Sequence, residues 1–429
     1  MIQLIRFMKY SCIGKKSGLI VLISILLAVD GLAQNNLEYY LKAARENNPT
    51  VKENLALSEK AGIQENIIKA EYRKPKIFLS GDIYYPPLIP NKDDPNAIGY
   101  DVAITDGGLY SGLLNILQPV FNKTTNETLT QQAKIAGEAG IDKAQVALHQ
   151  LEKNVIDQYI VSYQSMNQIE FVKILREQLI KQKLIIEAFA ARGIYKKSDI
   201  LLIEIEIQNQ STEINTLQDI YNRNIYELNE LCGITATPDV KLSDPQILLV
   251  VDTKQSQFLE RFRLDSLQEV YNLQVANLKY KPQFNLYGNT GLQAIELAGI
   301  QRKFGVGMGI TMAIPIYDGH QKDYTKQQSD INLRVIDNYR QNFIVQKSNR
   351  QQAILSELTL IEQKINIIRS KLNNYEKLIE LYKIELQTGE LQIINFMNII
   401  KSYTIAQHDL AISETNKMLI INNNNYYNW

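Results

Sequence analysis

The sequence predicts a mainly α-helical chain with a transmembrane β part, built from duplicated long helical hairpins and four short β-strands. Three observations predict it. First, the segment from Pro119 to Gly193 is laid out again from Pro315 to Gly389, each landmark recurring 196 residues later. A spacing kept over that distance means one structural unit used twice. Second, the apolar positions Ile354, Leu358, Ile361, Ile365, Ile368, Leu372, Tyr375, Ile379, Tyr382 and Leu386 step alternately by four and three. That is the seam of a left-handed coiled coil. Third, Phe304, Val306, Met308, Ile310, Met312 and Ile314 alternate with glycine, threonine and alanine. This is the period of a strand with one large apolar face.

At the start of the chain, Arg6, Lys9, Lys15 and Lys16 precede an apolar stretch from Leu19 to Val29 and the small residues of Gly31-Leu32-Ala33. Residues 1–33 are expected to be a secretory signal cleaved after Ala33. The apolar run is short of the roughly 20 residues a spanning helix needs. No cysteine stands at the cleavage point, and Cys12 would leave with the signal, so Cys232 remains as a lone cysteine with no disulfide partner. The two repeats are expected to occupy 34–240 and 241–429.

In the first repeat, a helical stretch Leu37–Arg73 ends at Lys74-Pro75. A strand follows in which Ile77, Leu79, Ile83 and Tyr85 alternate with Ser80, Asp82 and Tyr84. A turn-rich loop, Pro86–Gly108, leads to a looser strand, Tyr110–Phe121, with Pro119 near its end. The Pro-free stretch Asn122–Arg192 then predicts one helix, on the order of 100 Å long at about 1.5 Å per residue. Gly193 ends it, and Ser198–Leu231 is helical again.

The second repeat follows the same plan. Helix Ser256–Tyr280 stops at Lys281-Pro282, and a strand with Phe284, Leu286 and Gly288 follows. Loop Asn289–Arg302 leads to strand Phe304–Ile314, long helix His320–Thr388 and helix Leu391–Asn422. In each repeat the two short helical stretches together approach one long helix, so they are expected to stack end to end beside it. The Asn-rich tail Asn422–Trp429 is expected to be a disordered periplasmic end, with Tyr426, Tyr427 and Trp429 as candidate docking residues.

Segments of about ten residues with one apolar face suit transmembrane β-strands. Four strands are too few for a closed barrel, which takes about eight or more, and an open edge is not tolerated in lipid. The chain must therefore oligomerise, and the pattern itself leaves open two, three or more copies.

Other functions are poorly supported. With 46 basic and 46 acidic residues, the chain lacks the charge bias of a nucleic-acid binder. His149, His320 and His408 lack metal-ligand spacing. Gly305, Gly307 and Gly309 alternate inside a strand instead of opening a helix, which is no phosphate loop. Glu204 and Glu206 fall two apart on a helix and face different ways. The chain is expected to be no enzyme and to need no cofactor or metal. The competing function is a periplasmic coiled-coil adaptor or structural rod. Such a protein would usually carry one hairpin, without doubled strand pairs.

Several segments together resemble the TolC-like outer-membrane efflux protein family. They are Pro315-Ile316-Tyr317-Asp318-Gly319, Gln118-Pro119-Val120-Phe121, Lys74-Pro75, Lys281-Pro282, Asn48-Pro49 and the Gly193 and Gly389 turns, and they cover essentially the whole mature chain. The resemblance implies a homotrimer whose chains each give four strands to one twelve-stranded barrel in the outer membrane of a Gram-negative cell. The helices would form a periplasmic tunnel that narrows at its inner end. It further implies the channel subunit of a tripartite efflux or type I secretion system, in contact with outer-membrane lipid. Small molecules or proteins would arrive from an inner-membrane ABC or proton-driven transporter through a periplasmic adaptor (membrane fusion) protein.

The resemblance also points to a periplasmic entrance at the Gly193 and Gly389 turns. Family carboxylates six residues after the glycine line the constriction. Asp199, preceded by Ser198, matches in the first repeat; Asn395 and Asn398 stand in the second, where some members have an acidic pair. Read from the residues alone, Ser198 and Asp199 also suit a helix start as hydroxyl cap and favourable charge, and the glycines suit helix ends.

Overall fold

A computed structural model of the chain describes residues 36–84, 109–235, 240–250 and 256–429. The expected signal, residues 1–33, and loop Pro86–Gly108 lie outside the described residues. The elements run α1 (Leu37–Asn47), α2 (Pro49–Arg73), β1 (Lys76–Tyr84), β2 (Leu109–Val120), α3 (Lys123–Ala190) and α4 (Lys197–Cys232). Then come α5 (Phe258–Leu278), β3 (Gln283–Ala294), a short 3-10 turn (Ile300–Arg302), β4 (Phe304–Ala313), α6 (Gln321–Thr388) and α7 (Ile393–Tyr427). The two long helices have the same length, 68 residues each.

The stretch expected as one helix over Leu37–Arg73 is two. Asn48 is extended, with ψ 122°, because a residue before proline is pushed out of the α region. Its side-chain oxygen then accepts the Thr50 N–H at 2.9 Å and starts α2. Strand β3 runs to Ala294, so the loop expected from Asn289 begins only after it.

The chain folds as two compact units, and each draws on both halves of the sequence. One comprises Met1–Lys52, Ala144–Phe258 and Phe343–Trp429; the other comprises Glu53–Lys143 and Leu259–Asn342. In the first, the coiled-coil seam of α6 is buried at Ile354, Leu358, Ile365, Ile368, Leu372, Ile379 and Leu386. Ile361, Tyr375 and Tyr382 are half-buried. Burying each such side chain stabilises the fold by about 1.5–3 kcal/mol. Tyr40, Tyr159, Tyr221 and Cys232 form a second buried cluster. There burial pushes the Cys232 thiol up to about 12, which suits a packing residue and no reactive one.

The tail expected to be disordered is the last part of α7. Its asparagines bind backbone elsewhere in the same unit. Asn425 accepts the Val250 N–H at 2.8 Å and donates to the Leu248 carbonyl at 2.7 Å, while Asn424 donates to the Val250 carbonyl at 3.1 Å. The amides thus do for an irregular segment what a strand neighbour would do. The rings of Tyr426 and Trp429 stack on His149 at centroid distances of 4.8 and 4.3 Å, so the aromatic residues do dock.

The second unit holds one four-stranded antiparallel sheet in the order β1-β2-β3-β4. Sequential strands pair with their neighbours throughout, and among the described residues β1 and β4 have no strand on their outer edges.

Candidate functional site

Directly paired residues of an antiparallel sheet share a face, so the register assigns every side chain. Ile77, Leu79 and Ile83 of β1 pair with Ile116, Leu114 and Tyr110 of β2. Continuing across, Leu286 of β3 pairs with Ile310 of β4, Phe284 with Met312 and Leu292 with Phe304. One face is therefore apolar across all four strands. It is also bare: Leu79 is 79% exposed, Ile83 84% and Met308 84%. For Phe304, Val306, Met308, Ile310 and Met312 alone, removal from water is worth about 10 kcal/mol. Contiguous apolar surface of this kind marks a membrane or protein contact.

The opposite face is mixed and close-fitting, with Phe78, Leu113 and Leu117 beside Ser80, Asp82, Ser111 and Asn115. Ser111 donates to Asp82 at 2.9 Å, and Asn115 donates to Ser80 at 2.8 Å. On β4 this face is glycine because β3 needs the space. A Cβ on Gly309 would lie 2.5 Å from the Tyr287 hydroxyl, and one on Gly307 would lie 2.6 Å from Asn289 Oδ1. These are the direct pairing partners, Tyr287 with Gly309 and Asn289 with Gly307. At the end of the sheet the Phe121 ring meets Phe284 edge-on at 5.5 Å, and Phe121, Ile316 and Tyr317 stay exposed. Aromatic residues at such a rim are a feature of membrane barrels.

In the other unit, the two helix turns share their glycine conformation and a matching backbone bond. Gly193 and Gly389 have φ 79° and 80°, the left-handed conformation glycine adopts past a helix end. The Ile194 N–H reaches the Phe189 carbonyl and the Glu390 N–H reaches that of Glu385, both at 3.1 Å. The turns also touch, since a Cβ on Gly389 would meet Ile194 Cγ2 at 2.6 Å.

Tyr195, which the sequence did not single out, joins them. Its ring is buried, and its hydroxyl donates to the Leu386 carbonyl at 2.8 Å with the Leu391 carbonyl 3.3 Å away. Burial, and then the nearby Asp199 charge, push its pKa up. The signal was a large aromatic two residues past a turn glycine, where the second repeat has Leu391.

Helix α4 starts at Lys197 with Lys196 as its cap residue, so Ser198 lies inside the first turn and is not the cap. A lysine side chain has no acceptor to offer. Asp199, at the third helical position, instead accepts the N–H of the cap residue Lys196 at 2.8 Å. Asn395 holds the same position in α7, whose cap residue is Gln392. Asn395 and Asn398 are exposed, and the Asn398 carbonyl accepts from Ser402 at 2.9 Å.

No model of a protein family matches the chain, and no curated protein matches it in sequence. Solved structures do match. A crystal structure of CusC, reported for its folding and transmembrane channel formation, aligns over 91% of each chain with TM-score 0.70 and 13% identity. The outer-membrane channel OprN aligns over 91% of this chain and 89% of its own, at TM-score 0.70 and 13% identity. The Campylobacter jejuni CmeC outer membrane channel aligns over 91% and 85%, at 0.67 and 14%. At such identities the likeness is one of fold. The chain therefore has the TolC-like fold of long helical hairpins joined to a four-stranded sheet.

Proposed function

We propose that the chain is the channel subunit of a tripartite efflux or type I secretion system in the outer membrane of a Gram-negative cell. The observation that carries this is the sheet: an exposed apolar face across four strands, bounded by two edges that have no strand partner among the described residues. Strands of 9, 12, 12 and 10 residues match a bilayer's hydrocarbon thickness. Hydrocarbon tolerates no open edge. Closure by other copies removes the edges, and three copies give the twelve-stranded barrel implied by the family resemblance. The apolar face then meets lipid, and the opposite face, with Asp82, Ser111 and Asn115, lines the lumen.

In this reading 34–240 and 241–429 are tandem copies of one repeat. The turns at Gly193 and Gly389 form the periplasmic entrance, with Asp199, Ser198, Asn395 and Asn398 at its rim. The subunit performs no chemistry. Small molecules or proteins come from an inner-membrane ABC or proton-driven transporter through a periplasmic adaptor. The fold likeness to outer-membrane channels supports the choice over an adaptor or rod, for which a lipid-facing sheet has no use.

Fractionation and planar-bilayer recording test the proposal. Protein extracted from outer membranes should insert and give discrete conductance steps. Protein found in the soluble periplasmic fraction, with no conductance, would contradict it.

A further inference from the structure

Among the described residues, Asp142 of α3 is the only buried side chain that can carry a charge, at 5% exposure. Buried carboxylates are normally paired or hydrogen-bonded, because an unpaired charge is costly to take out of water. Asp142 is neither. Its Oδ1 is buried without a hydrogen-bond partner, and no hydrogen bond or ion pair reaches its other oxygen.

The neighbouring helix is α5, joined to α3 by a hydrogen bond from Gln132 to Asn272 at 2.7 Å. Glu260, Arg261, Arg263 and Asp265 of α5 all act on Asp142, and both arginines are already engaged. Arg263 donates to Glu260 from Nε at 2.8 Å and from Nη2 at 2.5 Å, with Glu138 of α3 3.9 Å away. Arg261 lies 3.7 Å from Asp265. Burial, and then the Glu260 and Asp265 charges, push the Asp142 carboxyl above the usual aspartate range, against the pull of the two arginines. Helix α2 packs on the same part of α3, with Ala61 3.3 Å from a Cβ built on Gly137. Its Lys52, Glu53, Glu59 and Lys60 are exposed, as is Lys143 of α3, and none pairs with Asp142. On α6, which meets α5 through Asn332 and Glu269, Asp337 and Arg340 pair with each other.

We infer that Asp142 makes the contact between α3 and α5 acid-sensitive: protonated, it suits its dry, acid-flanked position, and ionised, it loosens the two helices. A carboxyl that holds its proton more firmly in the folded chain adds stability at low pH. That stability is complete below the ordinary aspartate value of about 3.9 and is lost as pH rises through the higher folded value. The inference goes beyond the channel role and does not depend on it.

Asp142→Asn copies the protonated form and cannot ionise. Thermal unfolding of the intact protein in an uncharged detergent, wild type beside variant, tests the inference between about pH 4 and about pH 8. The difference in thermal midpoint should shift in favour of the variant as pH rises. Asp142→Leu, of similar volume and without charge, should show the same shift. Amide protection at Leu264, buried on α5, should fall with rising pH in the wild type and hold in Asp142→Asn, once intrinsic exchange is corrected for. A midpoint difference that stays constant with pH, one that moves toward the wild type, or equal protection of Leu264 in both proteins at every pH would each overturn the inference.

Discussion

The hydroxyl of Tyr195 donates to the carbonyl of Leu386 at 2.8 Å, tying the turn after α3 to the end of α6, 191 residues away. The bond is buried and links the Gly193 turn to the Gly389 turn. Tyr195→Phe keeps the ring and removes the donor. It should destabilise this region by about 1–2 kcal/mol. Amide exchange at Gly389 and Glu390 should quicken while exchange in the middle of α6 stays unchanged.

The two turn glycines should tolerate alanine unequally. Both need positive φ, which costs a side chain on the order of 1 kcal/mol. A Cβ on Gly193 meets open space, whereas one on Gly389 meets Ile194 Cγ2 at 2.6 Å. Gly193→Ala should therefore lose only the backbone cost, and Gly389→Ala should lose about 1–3 kcal/mol more through overpacking. Thermal midpoints of the two variants check the order.

Two roles of Asp199 separate by substitution. Its carboxylate caps α4 through the Lys196 N–H, and in the proposed channel a ring of three such charges favours cations. Asp199→Asn retains an acceptor and removes the charge, while Asp199→Ala removes both. Cation preference in single-channel recordings should fall in both variants. Stability should fall by about 0.5–2 kcal/mol only in the alanine variant. Unchanged preference in both would place the residue outside the pore lining.

Gly309 exists to admit Tyr287. Gly309→Ala should impair assembly of the sheet, because the Cβ would sit within 2.6 Å of the Tyr287 ring carbon Cζ. Such overpacking costs about 1–3 kcal/mol. The double variant with Tyr287→Ala should recover assembly, as read by yield of membrane-inserted protein.

Local rules made most of the fold legible. Each position of the α6 seam is buried or half-buried, because a heptad is written in consecutive residues. The alternation of β4 marked its large apolar face for the same reason, though not the β3 side chains that crowd its glycines. The break at Asn48-Pro49 was also in the sequence, in the constraint proline places on its predecessor. Strand β3 outran its expectation at Asn289, since pairing with Gly307 overrides the weak strand preference of Asn and Gly. Tyr195 and the tail asparagines stayed hidden because their partners are remote. The Asn425 amide bonds to residues 175 and 177 positions away, and no local pattern encodes that.

The central claim is that the four-stranded sheet is one part of a barrel closed by other copies. Light scattering on the detergent-extracted protein, corrected for bound detergent, tests it most directly. The account predicts the mass of three chains in a single species drawn from the outer membrane. A single chain carrying its apolar sheet face in detergent, or a soluble monomer, would contradict it.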